Sequence, residues 1–178
     1  GGEPFLVFSK IKQLCESLWE NQYSEYFHFH ITTNGTLVHG EIQDWLYEHR
    51  EQITVKLSLD GNEHSNDINR PDSFKKIDIP FFVHTWPNVR INMTITPETL
   101  PYISENVQYL HSLGFNDILA HFSLMTDWSN CNLEKLFYAQ LLQLVKYYLD
   151  NPQIKPWSFF TYDISRTVDD EPYLAPCN

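Results

Sequence analysis

The alternation of apolar and polar positions divides this chain into short strand-like runs separated by helix-like ones. Phe27 to Thr36, FHFHITTNGT, carries apolar and β-branched residues straight into a polar Thr-Asn-Gly-Thr end. That is the pattern of a buried strand delivering side chains to its carboxyl edge. Ile53 to Gly61, ITVKLSLDG, repeats it, and so does Val89 to Thr96, VRINMTIT, which stops at Pro97. Asp117 to Met125, DILAHFSLM, is a fourth run, and Trp157 to Ile164 is a candidate fifth strand.

The intervening segments have helical periodicity. Phe8, Ile11, Leu14, Cys15 and Leu18 predict a helix that starts at Pro4 and runs to about Asn21. Glu41 to Arg50 presents Ile42, Trp45, Leu46 and His49 on one side and enters through Gly40, which predicts a short amphipathic crossover helix. The stretch NEHSNDINRPDS, residues 62–73, reads as a polar surface loop. In Phe74 to Pro87 two prolines leave room for only a short helix, so that crossover is expected to be irregular. Thr99 to Leu113 returns to helical spacing through Ile103, Val107 and Leu110, with Gly114 at the C′ position. Leu133 to Leu149 is the clearest helix, closed by Asp-Asn-Pro, and Arg166 to Asn178 reads as loop leading out of a domain that spans residues 1–165. Strands alternating with helices imply right-handed crossovers and a parallel sheet, with chemistry gathered at the carboxyl ends of the strands.

Composition narrows the function classes. The 178 residues are 42% hydrophobic and 15% aromatic, enough for one domain with a sizeable core, and no apolar run reaches the length of a membrane span. No signal peptide opens the chain, so a cytoplasmic location is expected. A net charge of −11 opposes nucleic-acid and anionic-membrane binding, while leaving room for a local anion pocket. Three cysteines, Cys15, Cys131 and Cys177, are odd in number and far apart, which predicts reduced, mostly buried thiols and no disulfide framework.

Five features in order, GGEP at 1–4, ITTNGTL at 31–37, SLDG at 58–61, Arg70, and the helix-Leu-Gly-Phe-strand unit at 110–118, resemble the radical S-adenosylmethionine (radical SAM) enzymes. Within them the chain is most similar to the branch with a SPASM or twitch extension, which includes anaerobic sulfatase-maturating enzymes and peptide maturases. The resemblance implies an α/β fold, a parallel-sheet partial (β/α)6 TIM-like barrel truncated at its N-terminal side. It also implies an oxidoreductase parent that reductively cleaves SAM to a 5′-deoxyadenosyl radical and modifies a peptide or protein, with a flavodoxin or ferredoxin as electron donor. By the same resemblance Gly1, Gly2, Glu3 and Pro4, at the end of a strand, receive the methionine end of SAM. Ser58 and Arg70 take its carboxylate, Asp60 and Asn34 are weaker candidates, and Leu124 contacts adenine.

The departure from the family is the absence of the Cys-x3-Cys-x2-Cys loop that ligates its 4Fe-4S cluster. Cys15 lies in a predicted helix and the other two cysteines are over a hundred residues further on. Cys177 resembles the opening of an auxiliary-cluster region. The expectation is therefore an excised middle of a longer enzyme, inactive by itself. The alternative is a cluster-free SAM-binding or partner-binding barrel with no radical chemistry.

Other residues have plainer readings. The glycines and Thr-Asn-Gly-Thr suit ordinary strand-end turns as well as ligand contacts. His28 and His30 fall on one face of a strand and read as structural, since half-buried strand histidines outnumber metal pairs. Asp127, Trp128 and Cys131 are equally an ordinary loop or a substrate contact, and the acidic run at 169–171 is solvated surface.

Overall fold

The computed structural model describes residues 2–22, 24–124, 126–129 and 132–161. Strand β1 (Phe29–Thr33) pairs in parallel with β2 (Ile53–Ser58), β2 with β3 (Arg90–Ile95) and β3 with β4 (Asp117–Phe122). Spatial order therefore follows chain order. Helix α1 (Phe8–Trp19) precedes β1, and α2 (Glu41–Glu48), α3 (Glu63–Asn69), α4 (Ile79–Thr85) and α5 (Ile103–Ser112) fill the crossovers. Helix α6 (Leu133–Asp150) and the single-turn α7 (Ser158–Thr161) follow β4. The parallel α/β architecture expected from the alternating runs is the one the chain adopts.

One face of the sheet makes the core. Ile53, Val55 and Leu57 of β2 and Ile91, Met93 and Ile95 of β3 are buried, packed with Leu46, Phe82, Val107 and Leu110 from the helices. The intervening residues Thr54, Lys56 and Ser58, and likewise Arg90, Asn92 and Thr94, face the other way and are only partly buried or exposed. A parallel sheet covered on both faces reads as continuous hydrophobic runs. This one alternates, and its second face is open and polar.

Three expectations are corrected. Residues 62–73 contain helix α3, started by the Asn62 side chain, which accepts a hydrogen bond from the Ser65 amide at 3.0 Å. Asparagine is among the best N-cap residues, and that is the signal the polar composition hides. Trp157 onward forms the turn α7 in place of a fifth strand as far as residue 161, because Trp157 is buried among Phe137, Phe159 and Phe160 and the Phe160 amide closes back onto its carbonyl. Gly2 and Glu3 lie outside any strand, with Pro4 opening the 3-10 turn Pro4–Val7. The short, irregular crossover at 74–87 holds: a 3-10 turn (Phe74–Lys76) and the seven-residue α4, capped by Asp78. Residues 166–178, Gly1, Cys131 and Cys177 lie outside the described residues.

Glycine is required at Gly61. Its φ is +127°, and a Cβ there would come within 2.3 Å of the Asn106 side chain, which accepts the Asn62 amide hydrogen at 3.2 Å. Helix α5 thus packs directly against the turn that follows β2.

A second polar device joins α5 to α6. His111 is buried, its Nδ1 donating to the Phe115 carbonyl at 2.8 Å while its Nε2 accepts from the Tyr148 hydroxyl at 3.0 Å. The Tyr148 oxygen in turn accepts the Trp157 amide hydrogen at 2.9 Å. Both histidine nitrogens are thereby used in the neutral ring, and burial pushes the His111 pKa below its ordinary 6.5. The unfolded chain then binds more protons below that value, so stability is full above pH 6.5 and falls as the pH drops through the folded-state pKa. Urea unfolding at pH 7.5 and at about pH 5 should show a smaller loss of stability in His111→Gln than in the native chain. Equal losses would show that His111 is not buried neutral.

Candidate functional site at the carboxyl ends of the strands

Beyond the carboxyl ends of β2, β3 and β4 lies a cavity of about 480 Å³ lined by Asp60, Ile68, Asn69, Arg70, Thr94, Thr96, Glu98, Ser123 and Thr126. In open parallel sheets ligands bind outside these strand ends, where loops converge.

Asp60 organises the cavity wall. Its side chain is fully buried, and one carboxylate oxygen accepts from the Thr94 amide at 2.6 Å. The other accepts from Arg70 Nε at 2.8 Å and from Asn69 Nδ2 at 3.2 Å. Burying a carboxylate costs several kcal/mol unless it is paired and hydrogen-bonded, and here one cation and two neutral donors meet it. The acceptor side is equally determined: Asn69 also donates to the Thr94 carbonyl at 2.9 Å, and its Oδ1 accepts from the Thr96 hydroxyl at 3.2 Å. Helix α3 is held in turn by buried Asn66, whose Oδ1 accepts from the Asp60 amide at 3.2 Å and whose Nδ2 donates to the Ser73 hydroxyl at 2.8 Å. Arg70 spends its Nε on Asp60, stays 29% exposed at the side chain and lines the cavity.

Glu3 does comparable work at β1. Its Oε1 accepts from the Thr33 hydroxyl at 2.7 Å and its Oε2 from the Asn34 amide at 2.9 Å, while it also caps the first turn through the Phe5 amide at 3.2 Å. Gly2 has φ +118°, a conformation glycine adopts freely.

The sequence-derived candidates separate into groups. Asp60 and Arg70 are brought together at the cavity. Ser58, two residues before Asp60 on the open face, is half-buried opposite Asn92. Gly2, Glu3 and Pro4 sit at the carboxyl end of β1, beside Asn34. Asn34 uses its Oδ1 on the Thr36 amide at 3.0 Å and hydroxyl at 2.7 Å, an Asx turn that accounts for much of the Thr-Asn-Gly-Thr motif. Leu124 is 95% exposed, since β4 ends at Phe122, and it lines no part of the cavity. Gly1 lies outside the described residues. The cavity adds Asn69, Thr94, Thr96 and Ser123, none of which the sequence alone singles out. The polar end of VRINMTIT is the available signal for the two threonines.

The other candidates have structural explanations. His28 Nε2 lies 2.7 Å from the Thr54 hydroxyl and its ring 5.2 Å from that of His30, and among the described residues no three His, Cys, Asp or Glu side chains converge on a point. Cys15 is buried in α1, and burial pushes its thiol pKa up. Trp128 Nε1 donates to the Ser123 carbonyl at 2.9 Å, and its ring packs on Phe122, which gives it a packing role. No described helix is long and apolar enough to cross a membrane.

The strand order, the one-sided core and the cavity together define an α/β partial barrel with a polar cavity at the carboxyl ends of its strands. Solved structures share that fold. AdoMet-bound native anSMEcpe superposes with a TM-score of 0.72 at 19% identity, over 90% of this chain and 49% of that one. Native anSMEcpe with AdoMet and the Cp18Cys peptide gives 0.71 at 18% identity, and the Kp18Cys complex gives 0.72 at 19%, each over the same 90% and 49%. The chain therefore spans about half the length of these solved chains. No protein-family model matches the sequence, and no curated protein matches it.

The Asp60 network predicts coupling. Arg70→Ala should cost about 2–3 kcal/mol by leaving a buried carboxylate short of its cation, whereas adding Asp60→Asn should cost little more. Urea unfolding of the four members of the cycle measures this. Additive losses would mean that the pair does not act as a unit.

Proposed function

We propose that this chain is the central part of a radical SAM enzyme whose longer parent modifies a peptide or protein substrate. The observation that carries the reading is the polar cavity at the carboxyl ends of β2–β4, walled by Arg70, in a fold that anSMEcpe uses with AdoMet bound. The ordered motifs GGEP, ITTNGTL and SLDG support it independently.

By their chemistry the residues present suit the methionine end of SAM, and of them Arg70 and Asp60 line the cavity. Arg70 gives only its Nε to Asp60, which leaves the terminal nitrogens of a planar fork suited to a carboxylate. Ser58 adds a hydroxyl on the open face. Glu3 has acceptor capacity beyond its three hydrogen bonds, since a carboxylate offers about four lone-pair sites, and Gly2 gives the backbone room to approach an ammonium. Pro4 fixes the turn that aims Glu3. Asp60 acts as the positioning residue for Arg70, and Asn34 shapes the β1 turn. When bound and reduced, SAM supplies hydrogen abstraction by a carbon radical; this chain's residues hold, orient and shield it. The described residues offer no ligand set for a 4Fe-4S cluster, so the reading assigns it to a part of the parent outside these 178 residues. Residues 1–165 are the barrel portion, 166–178 lead toward an auxiliary-cluster region opened by Cys177, and a cytoplasmic flavodoxin or ferredoxin supplies electrons.

Peptide-bound anSMEcpe supports a peptide as substrate here. The competing reading, a cluster-free SAM-binding or partner-binding barrel, separates at once: the coding sequence ahead of Gly1 should contain Cys-x3-Cys-x2-Cys. The full-length product should then release 5′-deoxyadenosine from SAM under anaerobic reduction, at least about tenfold more slowly in Arg70→Ala. Absence of the cysteine trio would end the enzyme reading.

Without the cluster, the remaining contacts with SAM are modest charge-assisted hydrogen bonds set against the cost of immobilising the ligand. Calorimetry should find that the 178-residue chain binds SAM more weakly than micromolar. Micromolar binding abolished by Arg70→Ala would show a pocket complete in itself.

A further inference from the structure

The open face of the sheet carries a basic row that the SAM site does not use. Register places Thr32 beside Lys56, Lys56 beside Arg90, and Arg90 beside Asp117. Asp117 accepts from Arg90 Nε at 2.7 Å and from Lys155 Nζ at 2.9 Å. Burial pushes its carboxyl pKa up, but the hydrogen bonds from Lys155 and Arg90 outweigh this and hold it below the ordinary value. One carboxylate thus serves two cations, with a third, Lys56, next in the row, in a chain whose net charge is −11.

Lys56 is the unsatisfied member. Arg50, Arg70, Arg90, Lys12, Lys75 and Lys155 each pair with an Asp or Glu. The other described lysines without such a partner, Lys10, Lys76, Lys135 and Lys146, are solvent-exposed. Lys56 is half-buried, and among the described residues no carboxylate pairs with it. A half-buried lysine beside an arginine on a polar face, with no carboxylate of its own, is placed to take an anionic partner through charge-assisted hydrogen bonds.

We infer that Lys56 and the adjoining Arg90 recognise an acidic side chain of a peptide lying extended across the open face. The inference rests on the proposed peptide substrate and narrows it. Thr94, which lines the cavity, faces the same way as Arg90 and lies four residues further along β3, about 13 Å at the rise of a strand. An extended peptide covers that span in about four residues. The substrate class is therefore a peptide carrying Asp or Glu about four positions from the residue that reaches the cavity.

The test uses the 178-residue chain and capped alanine-glycine octapeptides that differ only in one central Glu, Gln or Lys. Calorimetry at low salt should show the Glu peptide binding about tenfold tighter than the Gln peptide, a preference lost in Lys56→Gln and reversed toward the Lys peptide in Lys56→Glu. Equal binding of Glu and Gln peptides, no binding of either at millimolar concentration, or a preference indifferent to Lys56 overturns the inference. Titrating Lys56→Gln with SAM separates the two claims. If SAM at millimolar concentration shifts no amide of the Arg70 cavity while the Lys56-dependent acidic preference of the native chain holds, the SAM reading falls and the acidic site stands. If SAM binds and that preference is missing, the acidic site falls and the SAM reading stands.

Discussion

A carboxylate that cannot reach water sets the terms for this half-barrel. Asp60 sits just past β2 with no exposure, and its three side-chain hydrogen bonds go to β3, to the end of α3 and to Arg70. A strand, a helix and a guanidinium are thereby referred to one point. Because an unpaired buried charge is so costly, each donor is held by the need to satisfy Asp60. Asn66 and Gly61 work to the same end from the backbone side: Asn66 accepts the Asp60 amide, and Gly61 lets α5 close against the turn.

The same alternation that builds the core prepares the open face. On β2 and β3 every second residue is buried against helices, and the residues between them are serine, threonine, asparagine, lysine and arginine. Polar side chains on that face do not contribute to the hydrophobic core, and the row from Thr32 to Asp117 crosses the strands, reaching the amino ends of β3 and β4 at Arg90 and Asp117. The buried core and the polar face are two consequences of one period-two pattern.

Legibility in the sequence follows the range of the interactions. The four parallel strands, α2, α5 and α6 are readable because their signals are local: period-two alternation, period-3.6 apolar positions, and Gly114 at a helix C′ position, where its φ is +101°. Helix α3 escapes such a reading because its residues are mostly polar, and its burial depends on Asn66 reaching Asp60 and Ser73. Helix α7 imitates a strand because aromatic, β-prone residues also serve a packed turn. Arg70 and Asp60 stand out separately through motif resemblance, but their pairing is tertiary and has no sequence signature. The His111–Tyr148–Trp157 chain has none either, since it joins positions up to 46 apart through side-chain geometry alone. Leu124 qualifies as an adenine contact only if the strand runs to Met125, whereas the chain leaves β4 after Phe122.

The central claim is that the cavity walled by Asp60, Arg70 and Thr94 is where the cofactor's carboxylate end is received. Nuclear magnetic resonance of the uniformly labelled chain, titrated with SAM to millimolar concentration, locates even a weak complex. The account predicts progressive shifts of the Asn69, Arg70, Thr94, Thr96 and Ser123 amides, with the amides of α2 and α6 unmoved. Shifts confined to the helical side of the sheet, or none at any concentration, would contradict it.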